Sequence, residues 1–122
     1  MIPKFKFWDK DEQYFIKDAT IVLNQDGSVE GLEYYHSKLK YLVYNDISYY
    51  ELIQSTGLKD KNGVEVFEGD IIDCYTEGLS TVKFEHGCFG LVCNGYFEGF
   101  ENVLGKLEII GNQFEHPHLL EE

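Results

Sequence analysis

Thr56-Gly57-Leu58-Lys59-Asp60-Lys61-Asn62-Gly63-Val64-Glu65-Val66-Phe67-Glu68-Gly69-Asp70-Ile71-Ile72 sets two turn signals around one very short apolar run. Asn62-Gly63 can adopt the positive φ angles of a tight hairpin turn, and Glu68-Gly69-Asp70 offers a second glycine turn a few residues later. Val64 to Phe67, between them, alternates imperfectly and reads as a very short strand. Ile71-Ile72-Asp73-Cys74-Tyr75 beyond is β-branched and aromatic, the composition of a strand. Two turns this close demand a sharply bent chain. The reading is therefore a mainly β fold, a small and partly open β-barrel of short antiparallel strands rather than a flat sheet.

The rhythm continues outward on both sides. Thr20-Ile21-Val22-Leu23 runs into Asn24-Gln25-Asp26-Gly27, a hairpin signal, with Ser28 to Tyr35 as the return strand, interrupted by Gly31. Lys40 to Tyr44 is a further strand. Asn45-Asp46-Ile47-Ser48 can cap one short helix reaching Ser55, because Ile47, Tyr50 and Ile53 recur every three residues. Toward the C-terminus, Ser80 to Glu85 alternates, His86-Gly87 turns, and Cys88 to Cys93 is an apolar strand. Asn94-Gly95 turns again before Tyr96 to Phe100, and Leu107 to Ile110 is a last strand closed by Gly111-Asn112. The tail is expected to be a loop laying Phe114, Leu119 and Leu120 on the body. No linker or repeat appears, so residues 1–122 read as a single domain.

The chain has 122 residues, 43% hydrophobic and 26% charged, enough to build a core. Ten Lys, no Arg and 22 acids leave a net charge of −12. That opposes nucleic-acid binding, which relies on cations that displace phosphate counterions, and it opposes docking on anionic lipid. No apolar run reaches the roughly 18 residues of a membrane helix. The N-terminal stretch MIPKFKFWDKDEQYF lacks the apolar segment of a secretory signal. Cys74, Cys88 and Cys93 are an odd, sparse set, not a disulfide framework. The expected location is the cytoplasm, with reduced thiols.

Three stretches resemble the YopX family of phage and prophage proteins. They are Pro3-Lys4-Phe5-Lys6-Phe7-Trp8-Asp9-Lys10, the central run Gln54 to Ile72, and Leu107-Glu108-Ile109-Ile110-Gly111-Asn112 with Phe114-Glu115, Pro117 and Leu119-Leu120. The central run is the most specific, and Phe84 to Leu91 matches loosely. Glu12 to Tyr50 is unmatched and corresponds to the variable part of the family. Lys6-Phe7 departs from the usual Arg followed by a small residue. The resemblance implies a small β-rich protein of phage or prophage origin that forms homo-oligomers, and it implies no reaction.

Each chemically suggestive cluster has a structural explanation to weigh against it. Glu68 and Asp70 could act as an acid–base pair, but an Asp after Gly more commonly bonds its own turn. Gly57 to Gly63 has glycines but neither the Gly-Lys-Ser/Thr ending nor the following helix of a phosphate loop. His86, Cys88, Cys93, His116 and His118 include the donor types of a zinc site without the close pairing such sites use. Cys88 with His86 could form a nucleophile–base pair, yet a thiol in an apolar strand is expected to be buried and inert. Lys4, Lys6, Lys10 and Lys17 could form only a local basic patch.

The expectation is accordingly no enzyme, no cofactor, no metal and no catalytic residue. Tyr34, Tyr35, Tyr41, Tyr44, Tyr49 and Tyr50 crowd one region, and exposed Tyr favours protein interfaces. The leading functional reading is a phage or prophage accessory protein that self-associates and binds a host or phage protein. The alternative is an acidic mimic of DNA that inhibits a host nucleic-acid enzyme.

Overall fold

Gly63 and Gly69 adopt positive φ angles of 77° and 91°, so both turns of the central stretch form where the sequence places them. They bracket a three-residue strand. The computed structural model describes residues 4–73, 78–93, 95–100 and 106–120. The readings that fall on Cys74, Tyr75 and Asn94 lie outside those residues.

In chain order the strands are β1 (Phe5–Asp9), β2 (Tyr14–Ile16), β3 (Thr20–Leu23), β4 (Val29–His36), β5 (Tyr41–Asp46) and β6 (Tyr50–Lys59). β7 (Glu65–Phe67), β8 (Asp70–Asp73), β9 (Leu79–Glu85), β10 (Cys88–Cys93), β11 (Tyr96–Gly99) and β12 (Glu108–Asn112) follow. The fold is mainly β, as expected. The chain forms two compact units, one of Phe5–Leu52 and one that takes in the described residues of Met1–Lys4 and Ile53–Glu122.

Within Phe5–Leu52, β1 and β2 pair antiparallel, and β3-β4-β5 form a three-stranded antiparallel sheet. Ile21 pairs with Leu32, and Tyr34 pairs with Val43, which puts these side chains on one face. That face builds a core of Phe7, Leu32, Tyr34 and Tyr50, each contributing about 1.5–3 kcal/mol by burial. Gly31 does not interrupt β4. A Cβ there would lie 2.4 Å from the Asn45 carbonyl oxygen and 2.7 Å from the Tyr44 hydroxyl, so glycine makes room for the neighbouring strand and its ring.

In the second unit, the order β11-β10-β9-β8-β12 forms a five-stranded antiparallel sheet that curls into a half-barrel. Val66, Ile72 and Val82 form its fully buried core, with Leu91, Phe100, Leu107 and Ile109 packed against them. Phe114 lies over Gly69, with a ring carbon 2.6 Å from where a Cβ would stand, so the tail does fold back. It ends in a 3-10 turn, Pro117–Leu120, where the sequence reading has only loop.

The expected helix through Ser55 is corrected. Only Ile47–Tyr49 is helical, a single 3-10 turn whose first amides are capped by Asp46, with Oδ2 accepting from Ser48 N at 2.9 Å. Tyr50 is already extended and starts β6. Tyr50 and Ile53 are both buried, yet residues three apart on a strand point to opposite faces. One buried side chain on each face of the strand therefore mimics the spacing of a helical stripe.

Candidate functional site

The side chains singled out for possible chemistry take these places in the structure. Asp70 Oδ2 accepts a hydrogen bond from Phe67 N at 2.8 Å across the Glu68-Gly69 turn. Asp60, only 5% exposed, occupies the centre of the Gly57–Gly63 loop. Its Oδ1 accepts from Asn62 N at 2.9 Å and Val64 N at 3.0 Å, and its Oδ2 accepts from Ile109 N of β12 at 3.0 Å. Burial pushes this carboxyl upward, but the three amide donors outweigh it and hold the group below the usual carboxylate range. The loop amides that could have cradled a phosphate are thus taken internally, Asn62 N by this carboxylate, Gly57 N by Ser55 Oγ, Leu58 N by Thr56 Oγ1, and the amides of Asp60, Lys61 and Gly63 by backbone carbonyls.

Cys88 is exposed, which corrects the expectation of a buried thiol. It is the first residue after the His86-Gly87 turn, and its Sγ donates to Glu85 O at 3.5 Å. His86 packs edge-on against Phe97, and His116 Nδ1 accepts from Asn112 N at 3.2 Å. Among the described residues, no three His, Cys, Asp or Glu side chains converge as metal ligands. The N-terminal lysines are engaged separately. Lys4 pairs with Glu65 at 3.0 Å, Lys6 lies 5.5 Å from the Phe15 ring centre, and Lys10 donates to Ser48 O at 3.3 Å.

The tyrosines divide by face. Tyr34 and Tyr50 are buried, and a hydrogen-bond chain runs from Asn45 Nδ2 to Tyr50 OH (3.0 Å) and on to Tyr34 OH (3.1 Å). Tyr35, Tyr41, Tyr44 and Tyr49 are about half exposed or more. On the outer face of β3-β4-β5, Tyr35 pairs with Leu42 and Glu33 pairs with Tyr44. Tyr35 is 59% and Leu42 64% exposed, so this pair buries little against its own chain. Tyr44 donates to Glu30 Oε2 at 2.7 Å. That bond to a carboxylate pushes its hydroxyl up to about 12. Among the described residues, β5 is the terminal strand of its sheet, with a hydrogen-bonded neighbour on one side only. Its pairing with β4 is regular, and its sequence YLVYND has no Lys, Pro or bulge of the kind that usually protects an edge.

On the inner side lies a cavity of about 330 Å³. Tyr14, Tyr34, Tyr49 and Tyr50 line it, together with the carboxylates of Asp9, Asp11 and Glu12. Asp9 is 7% exposed, and its Oδ1 accepts from the amides of Asp11 and Glu12, both at 2.9 Å. The surroundings of Tyr14 and Tyr34 keep both phenols protonated. Burial is the larger cause for each, and the Asp9 charge adds to it. Sequence reasoning missed this site. Asp9, Asp11 and Glu12 carry no local signal of their own, and the structure sets them beside Tyr34 and Tyr50.

A profile of the family described as YopX protein matches residues 4–121. The chain is also similar to protein EF1440 from Enterococcus faecalis, known from a crystal structure. The two are 29% identical with a TM-score of 0.67, and the match covers 99% of each chain. No curated protein matches the sequence.

Proposed function

The chain belongs to the YopX family, and within that family we propose that it is a non-enzymatic accessory module of a phage or prophage, acting in the cytoplasm by binding protein, first of all a second copy of itself. The observation that carries this reading is the unprotected β5 edge, continuous with the exposed Tyr35, Leu42 and Tyr44 face. An open, regular edge offers unpaired N–H and C=O groups as a template for another strand. A second β5 laid antiparallel satisfies those groups, and two identical strands so paired are related by a twofold axis, the commonest symmetry of homo-oligomers. The three-stranded sheets of two copies then become one six-stranded sheet. The aromatic and aliphatic side chains beside the new seam supply apolar area at low entropy cost.

Sedimentation equilibrium tests this directly. The expected mass is twice the 14.2 kDa of the chain. Leu42→Lys brings like charges toward each other across the axis and is expected to weaken the dimer about tenfold or more, which corresponds to about 1.4 kcal/mol. High salt should change a mainly apolar contact little. A protein that stays monomeric at every accessible concentration overturns the self-association. Capture of a host protein that is lost in high salt would instead support the acidic mimic of DNA.

A further inference from the structure

The cavity lies on the face of the β3-β4-β5 sheet opposite the one that bears Tyr35, Leu42 and Tyr44, and carries a separate conclusion. Its charge is one-sided. Among the described residues, Asp9, Asp11 and Glu12 line it and no lysine does, while Lys10, the nearest cation in sequence, turns away to Ser48 O and stands 3.9 Å from Glu51. The lining histidine, His36, accepts at Nδ1 from the amides of Lys38 and Leu39 at 3.2 and 3.1 Å.

Asp9 supplies a second and independent observation. It is more than nine-tenths buried, and both of its hydrogen bonds fall on Oδ1. Among the described residues, no fully buried side-chain oxygen lacks a partner. Oδ2 is therefore not fully buried; it takes no hydrogen bond from a described residue, and Asp9 lines the cavity. A neutral occupant without a donor would leave that oxygen desolvated and unpaired, and an anion would be repelled. A bare metal ion would need several converging oxygen ligands, and among the described residues no three His, Cys, Asp or Glu side chains converge in that way. Ring faces attract alkylammonium groups, which are weakly hydrated and give up water readily.

We propose that this cavity binds a small organic cation of about the size of choline, with its ammonium charge against the Asp9 and Glu12 carboxylates and its alkyl groups against the tyrosine rings. The volume admits one such molecule with room for water.

The test is a titration of isotope-labelled protein followed by amide NMR shifts. The probes are choline and 3,3-dimethyl-1-butanol, a neutral molecule of nearly the same shape. Choline is expected to shift the amides of Asp9 to Tyr14 and of Tyr49 and Tyr50, and to bind about tenfold or more tightly than the neutral analogue. Glu12→Gln and Tyr49→Leu alter exposed residues, so both variants should keep the wild-type spectrum elsewhere and each should weaken choline binding severalfold. Equal binding of the two probes, no binding of choline, or binding untouched by both variants overturns the proposal.

Discussion

Replacing Asp60 tests whether the central stretch is structural. This carboxylate is 5% exposed and accepts three backbone hydrogen bonds, two from its own loop and one from Ile109 of β12. Hydrogen bonds to a charged group contribute about 1.5–3 kcal/mol each, and they are not additive once water enters the vacated site. Asp60→Ala should therefore cost about 3–5 kcal/mol, out of a total stability of about 5–15 kcal/mol for a protein this small. Asp60→Asn keeps an acceptor for Asn62 and Val64 but sets an NH₂ against the Ile109 N–H, and should cost about 2–3 kcal/mol. With a urea m-value of about 1–3 kcal/mol/M, the unfolding midpoint falls by roughly 1–2 M. The folded carboxyl titrates below its unfolded value, so its contribution is present above the unfolded pKa of about 3.9 and is lost as pH falls through the folded value. The gap between wild type and Asp60→Asn should consequently narrow below about pH 4. The assay is urea unfolding followed by fluorescence of the buried Trp8 and by circular dichroism. A midpoint for Asp60→Asn equal to wild type at pH 7, or a gap that persists unchanged to pH 3, would refute the reasoning.

Other outcomes follow from the same contacts. Gly31→Ala drives a methyl group into the Asn45 carbonyl, which the β4–β5 pairing prevents from moving, so it should cost about 2 kcal/mol or more in thermal or urea unfolding. Gly27→Ala meets nothing within 4 Å and should cost only the roughly 1 kcal/mol of its positive φ. Glu30→Gln removes the carboxylate that accepts the Tyr44 hydroxyl, so ultraviolet titration should show that phenol moving down from about 12 toward about 10. A maleimide should label exposed Cys88 faster than half-buried Cys93, as read by mass spectrometry of peptides.

The turns were legible in the sequence because their causes are local. Gly27, Gly63, Gly69, Gly87 and Gly95 all take the positive φ that their flanking residues announce, and His86 joins Gly87 in the left-handed region at 53°. The pairing of β3 with β4 and of β9 with β10 follows from those turns. The helix reading failed where a local rule met a nonlocal fact. Ile47, Tyr50 and Ile53 fit a helical period, but Ile47 lies in the 3-10 turn, and Tyr50 and Ile53 are buried on opposite faces of β6. Cys88 was misplaced for a related reason. An apolar strand predicts a buried side chain on average, but its first residue beside a tight turn stands in solvent.

The sequence by itself therefore determined a mainly β, acidic protein, the positions of its turns, and a tyrosine-rich region suited to contact. Each of these depends on residues within a few positions of one another, or on composition. Tertiary structure decided what the side chains do. It set β12 against β8, so that Ile109 could donate to Asp60, 49 residues earlier. It divided the tyrosines between a buried network, an exposed edge and a cavity wall, and it placed the acids after β1 beside rings from β4 and β6. Such contacts join residues whose separation in the chain carries no local signal. Their closure is opposed by chain entropy and offset only when the whole core assembles.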